Sequence, residues 1–528
     1  MTETPAVEQT SYDRVPYKSN PFPQTHPDRL ATMATLFGMH PAAVERCRVL
    51  ELGCASGGNL LPMADQFPES QFLGIDASSR QIADGQELLN RSGLTNVELR
   101  CQDILQFASD QQFDFIICHG VYSWVPEPVQ QKILDICRQH LSPQGVAYVS
   151  YNTYPGWHMK GMIRDIMRYR GQSFDDPRQK LDQARGLLAF LSNSVKGDNN
   201  PYGLLLKQEV ESIGRKDDSY LLHDHLEEVN DPVYFHQFAE RAQQAQLQYL
   251  GEADFGAMSM ANLPEQVRGM LLSVSRNSLE VEQYMDFLKN RSFRQTLLCH
   301  ANLTLERTAQ PRHLLHLRIA SQARPETESP DVRSKQQVKF LSGKGTLTTS
   351  DPLVKAALAH LKQIWPASTP FAELAALAQS TARGRPAAVD REVMSAETES
   401  LATTFLRCFA TATIELRHTA PRFVIQVSER PLASPLARAQ ALRGPRVTNR
   451  LHETVTLDDV QRQILTACNG ERSTAELIES LCDAVQEGGM ILHHDGRRVT
   501  DRDTARRLTG ETVPSLLAAL TQRALFVG

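Results

Sequence analysis

A short apolar strand followed by a loop of small residues constrains this chain more than any other feature. Residues 49–52 are typical of a buried strand, residues 53–58 of a tight loop, and Leu60 of a helix start. A second apolar run ends in Asp76, twenty-three residues after Gly53. A glycine loop followed by an acid at the tip of the next strand is the arrangement of a nucleotide-binding α/β unit.

Strands and helices alternate through the region that contains this loop. The predicted strands are residues 49–52, Gln71–Asp76, Val97–Cys101, Phe113–Cys118 and 146–151, with two more at 247–251 and within 290–299. The predicted helices are Leu60–Gln66, 79–91, 129–141, 158–195 and 232–247. Continuous apolar strands between helices indicate a parallel sheet that is covered on both faces. We therefore expect an α/β fold built on a Rossmann-like seven-stranded sheet.

The length of the chain predicts further domains, because 528 residues are too many for one core. The predicted divisions are an N-terminal arm (1–30), a core (31–157), a helical insert (158–222), a region completing the sheet (223–310), a linker (311–345) and a mainly helical C-terminal domain (346–528). Residues 196–219 are polar and are interpreted as an excursion from regular structure. Residues 320–345 have the composition of a linker.

Charge and cysteine usage limit the possible partners. A net charge of −5 argues against a broad basic surface, so no nucleic acid partner is expected. No apolar run approaches the ~20 residues that span a bilayer, and residues 1–12 lack the apolar centre of a secretory signal. The nine cysteines form no Cys-x-x-Cys pair, which predicts neither a metal site nor a disulfide framework. We expect a cytoplasmic protein without membrane insertion.

Residues at the carboxyl ends of the first three strands form the candidate cofactor site. Glu51 is placed to reach an ammonium group of the cofactor. Asp76 is placed to accept hydrogen bonds from ribose hydroxyls or, alternatively, to cap the next helix. Asp103 is placed to accept from an adenine amino group, with a capping role in its loop as the alternative. This arrangement looks like the S-adenosylmethionine (SAM) site of class I methyltransferases. The predicted cofactor-binding residues are Glu51, Gly53, Ala55, Gly57, Asn59, Asp76, Ala77, Asp103, Ile104 and His119.

Aromatic residues are concentrated in the loops after the fourth and fifth strands. They are Tyr122, Trp124, Tyr151, Tyr154 and Trp157. Because ligands of open α/β sheets bind at the carboxyl ends of the strands, we expect these residues to line a channel for a long side chain or a cation. Packing of the loops beneath an inserted domain is the alternative. A packing role is favoured for His119 over that of a base, and no catalytic residue is assigned.

Several motifs together carry a family resemblance. They are residues 12–17 with 24–27, 49–59, 119–126, 151–157, 223–227 and 293–298, with a weaker match at 447–452. On these motifs the chain resembles bacterial class I methyltransferases with a methyltransferase regulatory domain, including the rickettsial protein-lysine methyltransferases that modify outer-membrane proteins. The resemblance implies the cofactor roles given above and an active site covered by residues 220–300. It also implies that Tyr12 and Tyr17 close over the cofactor.

The predicted function is a SAM-dependent methyltransferase that N-methylates lysine side chains of a protein substrate. The lysine assignment depends mainly on the resemblance and on the aromatic loops. Methylation of a small metabolite stays open as an alternative. So does a catalytically silent SAM-binding scaffold, because Ala55 stands where the usual loop has glycine. A C-terminal winged-helix-like module that binds DNA is a further alternative, and a homodimer is left open.

Overall fold

The central element of the fold is a seven-stranded mixed sheet. The computed structural model describes residues 18–195, 200–328, 330–343, 345–390, 392–489, 491–494 and 497–528, so Tyr12 and Tyr17 lie outside the described residues. The strands are β1 (Arg48–Leu52), β2 (Gln71–Asp76), β3 (Val97–Cys101), β4 (Phe113–Cys118), β5 (Leu141–Asn152), β6 (Leu247–Glu252) and β7 (Phe293–His300). Their order is β3-β2-β1-β4-β5-β7-β6. The first five run parallel, whereas β7 is antiparallel to both of its neighbours.

Helices cover both faces of this sheet. Those within the first part of the fold are α1 (Pro27–Leu36), α2 (Leu60–Gln66), α3 (Ser79–Ser92) and α4 (Glu127–His140). The helices around the last two strands are α9 (Phe235–Gln244), α10 (Phe255–Met258), α11 (Glu265–Val274) and α12 (Ser278–Lys289). In the chain they follow the four helices of an insert between β5 and β6. Among the described residues, no helix combines the length and apolarity needed to cross a membrane. The predicted Rossmann-like sheet is confirmed.

The insert between β5 and β6 is more helical than its sequence indicated. Its helices are α5 (Gly156–Gly171), α6 (Pro177–Ser194), α7 (Pro201–Gly214) and α8 (Asp218–His225). The interpretation of residues 196–219 as an excursion is therefore wrong for 201–214. Leu206 and Ile213, seven positions apart on α7, are buried in a small core with Leu188 of α6. This apolar stripe is narrow, and the polar residues between its members conceal the helical period.

Residues 320–345, whose composition predicted a linker, contain strands instead. Two small sheets are built from β8 (Arg318–Ala320), β9 (Arg324–Pro325), β10 (Val338–Leu341), β11 (Thr346–Thr349), β12 (Thr369–Pro370) and β13 (Glu415–Arg417). Ile319 and Phe340 are fully buried and share a hydrophobic core with Val49 of β1. These apolar positions are too sparse in the local sequence to outweigh the surrounding proline and polar residues.

The region predicted as one helical C-terminal domain has two hydrophobic cores. Helices α13 (Pro352–Ile364), α14 (Phe371–Arg383) and α15 (Ala396–Ala410) pack into the core that they share with the large sheet. A separate core encloses α16 (Pro435–Arg443), β14 (Arg446–Thr448), β15 (Thr454–Thr456), α17 (Asp459–Ala467), α18 (Thr474–Gln486) and α19 (Arg502–Gln522). A short hairpin of β16 (His493–His494) and β17 (Arg497–Arg498) precedes α19. We call residues 429–528 the C-terminal module.

A buried arginine joins β6, β7 and α12. The fully buried Arg294 guanidinium lies 2.6 Å from Glu252, 3.0 Å from Glu282 and 2.8 Å from Asp286. It also lies 3.8 Å from the centre of the Phe235 ring. Each of these charges depends on the others, because a buried carboxylate without a cation is strongly unfavourable. The segment 293–298, noted for its family resemblance, therefore has a structural role through Arg294.

Replacing Arg294 by Met is expected to lower the free energy of unfolding by about 3–5 kcal/mol, because three buried carboxyl groups lose this cation and only Asp286 keeps a second described one, Arg291 at 3.0 Å. Urea denaturation followed by circular dichroism measures this change. The control is Arg100→Met on β3, which removes an exposed pair with Glu98 and should cost less than about 1 kcal/mol. Similar losses from the two substitutions would contradict a special contribution from the buried network.

Candidate functional site

The loop between β1 and α2 folds tightly against the post-β4 segment. Gly53 and Gly57 have φ angles of +75° and +73°, and Ala55 adopts +48°. A Cβ atom on Gly53 would lie 2.4 Å from Cγ2 of Val121, so this position requires glycine. The left-handed conformation of Ala55 is uncommon for a residue with a side chain, and such backbone is concentrated at ligand sites.

A cavity of about 680 Å³ opens at the carboxyl ends of β1, β2 and β4. Nine of the ten predicted cofactor residues line it, namely Glu51, Gly53, Ala55, Asn59, Asp76, Ala77, Asp103, Ile104 and His119. Gly57 does not line the cavity; it forms the turn into α2, where its backbone faces Leu61 and Leu99. Within the described residues, no group of three or more His, Cys, Asp or Glu side chains is arranged to hold a metal ion.

Glu51 presents a buried carboxylate oxygen without a hydrogen-bond partner. Its Oε1 accepts from Nδ2 of Asn59 at 2.7 Å, whereas Oε2 has no partner among the described residues. Burial is the main reason that the pKa of Glu51 is raised to about 8; the Asn59 hydrogen bond opposes this shift and the nearby Asp76 charge adds to it. A cationic ligand that reached Oε2 would satisfy this oxygen and restore the ionised form.

Asp76, at the tip of β2, fixes the position of the loop. Its two carboxylate oxygens accept from the backbone N–H of Ala55 at 2.8 Å and of Ser78 at 2.9 Å. The N-cap of α3 is Ser78, whose hydroxyl accepts from Gln81 N, so the helix-capping alternative for Asp76 is wrong. The carboxylate is partly exposed and lines the cavity between the loop and Ala77.

Asp103 and Ile104 form the far wall beyond β3. Oδ1 of Asp103 accepts from the backbone N–H of Leu105 at 2.8 Å and caps the short turn Ile104–Gln106. The capping role considered from the sequence therefore exists, and Asp103 lines the cavity at the same time. The apolar side chain of Ile104 stands beside this carboxylate at the cavity wall.

His119, directly after β4, is a packed neutral side chain. Its Nδ1 lies 2.9 Å from the Tyr148 hydroxyl and 3.3 Å from Ser150 Oγ. The Phe22 ring packs against it with 3.9 Å between centroids. Burial lowers the pKa of His119 to about 4, so the ring is uncharged at neutral pH. This environment agrees with a packing role and does not favour a general base.

The aromatic end of the cavity is formed by two tryptophans. Trp124 and Trp157 meet edge to face, with 6.2 Å between ring centroids, and both line the cavity. Trp157 is buried, and its indole N–H has no partner among the described residues. The Lys160 ammonium lies 5.6 Å from the centre of the Trp157 ring. Asp224 of α8 also lines the cavity.

The three tyrosines predicted for the channel lie elsewhere. Tyr122 and Tyr151 are buried in the core behind the sheet, where both pack on Phe238. Tyr154 stacks on His158 and is absent from the cavity wall. Side chains alternate along β5, and Asn152 lines the cavity, so the adjacent Tyr151 points to the opposite face.

Several residues of the cavity wall were missed by the sequence analysis. They are Ser19, Phe22 and Gln24 from the N-terminal arm, Cys54, Ser78, Gln81, Gly120, Val121, Val125 and Val129 around the loops, and Asn152, Lys160, Tyr220, His223, Asp224, Phe293 and Gln295. The family resemblance could have identified part of this set, because its motifs include Gln24, Cys54, Gly120, Val121, Val125, Asn152, His223, Asp224, Phe293 and Gln295.

Family comparisons divide the chain into three matched regions. A family described as "Methyltransferase domain" matches residues 49–145. "Predicted methyltransferase regulatory domain" matches residues 217–300. "PKMT, C-terminal winged helix domain" matches residues 429–525, which lie within the C-terminal module.

Two of the similar proteins described below match nearly the whole chain. The uncharacterized protein RP789 of Rickettsia prowazekii is 33% identical over 530 residues, covering 99% of this chain and 94% of that protein. A second uncharacterized protein of this organism, RP028, is 43% identical over 234 residues, covering 44% of this chain and 94% of its own. The structure of PKMT2 from Rickettsia typhi in complex with AdoHcy matches with a TM-score of 0.84 at 31% identity, over 97% of this chain and 100% of PKMT2. The chain therefore belongs to the family of SAM-dependent class I methyltransferases that includes rickettsial PKMT2.

Proposed function

We propose that this enzyme N-methylates lysine side chains of a protein, with SAM bound at the carboxyl ends of β1 to β4. The observation that carries the cofactor part of the proposal is the buried Oε2 of Glu51, a residue of the cavity wall, which has no partner among the described residues. SAM has one ammonium group, on its methionine portion, and a carboxylate is the matching acceptor. AdoHcy, which is bound in the PKMT2 structure, is what remains of SAM after methyl transfer and carries the same ammonium.

Five further predicted residues are assigned to positions along the length of the cofactor. Asp76 accepts from the ribose hydroxyls while it continues to hold the Ala55 amide, since each carboxylate oxygen can accept two hydrogen bonds. Asp103 accepts from the adenine amino group, and Ile104 packs on the ring. The small residues Gly53 and Ala55 let the methionine portion approach the backbone closely. This arrangement leaves the tryptophan end of the cavity for the acceptor.

Methyl transfer requires a neutral amine aligned with the methyl group and the sulfur. The amine nitrogen forms a bond to the methyl carbon as the carbon–sulfur bond breaks, and the electron pair of that bond stays on the sulfur. Positioning supplies most of the rate enhancement. An acceptor lysine in this cavity would lie between apolar indole walls, near the sulfonium and the Lys160 ammonium. Burial and these positive charges favour the neutral amine, against the opposite effect of the Asp224 carboxylate, which also lines the cavity.

The proposal is tested with purified enzyme, SAM labelled in its methyl group, and a lysate separated into protein and small-molecule fractions. We expect label on protein, and mass spectrometry should place it on the nitrogen of lysine side chains. Label confined to small molecules would contradict the protein acceptor and favour metabolite methylation. Binding of SAM without any labelled product, in a lysate from the organism that supplies the sequence, would contradict catalysis.

SAM affinity is expected to rise by up to about tenfold per pH unit below the Glu51 pKa and to fall again at higher pH, where the α-ammonium of SAM itself loses its proton. The reason is that Glu51, whose pKa is raised to about 8, is protonated in the free protein at neutral pH. The bound ammonium stabilises the carboxylate, so binding releases one proton. Calorimetry in buffers of different ionisation enthalpy measures both quantities. Glu51→Gln should remove the slope and the proton release, and an unchanged slope in this variant would exclude Glu51.

Trp157→Ala should reduce the specificity constant for the acceptor by about tenfold or more while SAM affinity changes by less than about threefold. The substitution removes the indole wall that would contact the acceptor and that SAM would not contact. Because Trp157 is buried, Trp157→Phe serves as the matched variant that keeps an apolar wall and should retain most activity. Equal losses of SAM affinity and activity in the phenylalanine variant would show that Trp157 supports the fold instead.

A further inference from the structure

A histidine of the C-terminal module reaches the cofactor side of the β1–α2 loop. His452 lies between β14 and β15, and its Nε2 is 2.9 Å from Oδ1 of Asn59. The residues are 393 positions apart in the sequence. His452, Asn59 and Glu51 are exposed by only 1%, 2% and 3%, so bulk water has almost no access to replace these contacts.

The direction of each hydrogen bond is determined by the groups at its ends. Nδ2 of Asn59 donates to the Glu51 carboxylate at 2.7 Å, and Oδ1 accepts from the backbone N–H of Phe22 at 2.9 Å. The Asn59 amide therefore has one possible orientation, with its oxygen toward His452. The imidazole must donate through Nε2–H. Burial and the nearby His26 keep the pKa of His452 well below its usual value, which agrees with a neutral donor.

The backbone around His452 is held firmly against α2. His452 has a φ angle of +60°, a left-handed conformation that histidine adopts more often than most residues. Nη1 of Arg450 donates to the Asp65 backbone carbonyl at 3.0 Å and pairs with the Asp65 carboxylate. The Ser434 hydroxyl donates to the same carboxylate at 2.7 Å. These contacts fix the distance between the C-terminal module and the helix that follows the loop.

We propose that His452 is a positioning residue for the methyl donor: together with the Phe22 N–H it holds the Asn59 amide in place, and this amide holds Glu51 with one carboxylate oxygen turned to the cofactor ammonium. The inference rests on the proposed function, because it assigns a role to His452 through the same Glu51 oxygen. The C-terminal module thereby completes the cofactor site from outside the sheet. The module therefore affects the binding of SAM and does not affect the acceptor end of the cavity.

A positioning role and a merely structural role have different consequences. If His452 acts through Glu51, its loss weakens SAM binding but leaves turnover at saturating SAM almost unchanged. Its effect must also depend on the presence of the Glu51 carboxylate. A residue that only stabilises the module would lower activity through the amount of folded protein, whatever residue occupies position 51.

The experiment compares variants in the full-length enzyme by calorimetry with S-adenosylhomocysteine and by methyl-transfer kinetics. His452→Ala should weaken binding and raise the KM for SAM by about tenfold, with kcat changed by less than about twofold. His452→Gln, whose amide can donate to Asn59, should recover most of the affinity. The control is Arg443→Ala, which removes an exposed contact between the same module and Asp84 of α3 and should leave affinity unchanged.

The decisive comparison is made in the Glu51→Gln background. There, His452→Ala should cost less than about twofold in affinity, because the carboxylate that it helps to orient is absent. The same tenfold loss in both backgrounds, or equal losses of kcat and affinity, would overturn the inference. If the unmodified enzyme bound no S-adenosylhomocysteine, the proposed function itself would fail, and the two failures are thereby distinguishable.

Discussion

The hydrogen bond between the Asn59 amide and the buried Glu51 carboxylate is the contact on which the cofactor site depends. A carboxylate removed from water is strongly destabilised unless donors replace the lost hydration. Asn59 supplies one donor, and the second oxygen of Glu51, a residue of the cavity wall, has no partner among the described residues. The same amide accepts from the arm at Phe22 and from the C-terminal module at His452. One side chain thus links three distant parts of the chain to the cofactor position.

The sheet provides the frame, and the other regions complete the cavity. The glycine loop supplies close backbone approach, and Asp76 ties this loop to β2 through the Ala55 amide. The insert contributes the walls at Trp157 and Asp224. The buried Arg294 holds β6, β7 and α12 together behind these walls. Methyl transfer from a sulfonium needs alignment more than acid–base chemistry, and a cavity enclosed from several sides supplies alignment.

Local patterns in the sequence were sufficient to predict the sheet and the cofactor end of the cavity. Gln71–Asp76, Val97–Cys101 and Phe113–Cys118 were predicted with the bounds that the structure has, because buried parallel strands are short apolar runs between turn residues. The place of the loop residues and of Asp76 in the cofactor site could be predicted from the order of the strands alone. Tyr151 was predicted to lie on the wrong face of the sheet, because the presence of aromatic residues in a segment does not show which face of the strand each side chain occupies. His452 could not be predicted as a neighbour of Asn59, since no local pattern reports a contact between residues so far apart.

The most direct test of the central claim is the role of Glu51 as the acceptor for the cofactor ammonium. Calorimetry would compare S-adenosylhomocysteine with 5′-methylthioadenosine, which keeps the nucleoside and the sulfur but lacks the amino acid portion. The unmodified enzyme should strongly prefer S-adenosylhomocysteine, and Glu51→Gln should shrink this preference by about tenfold, the loss of a charge-assisted hydrogen bond. An equal preference in both proteins would contradict the assignment of Glu51 and, with it, the orientation of SAM in the cavity.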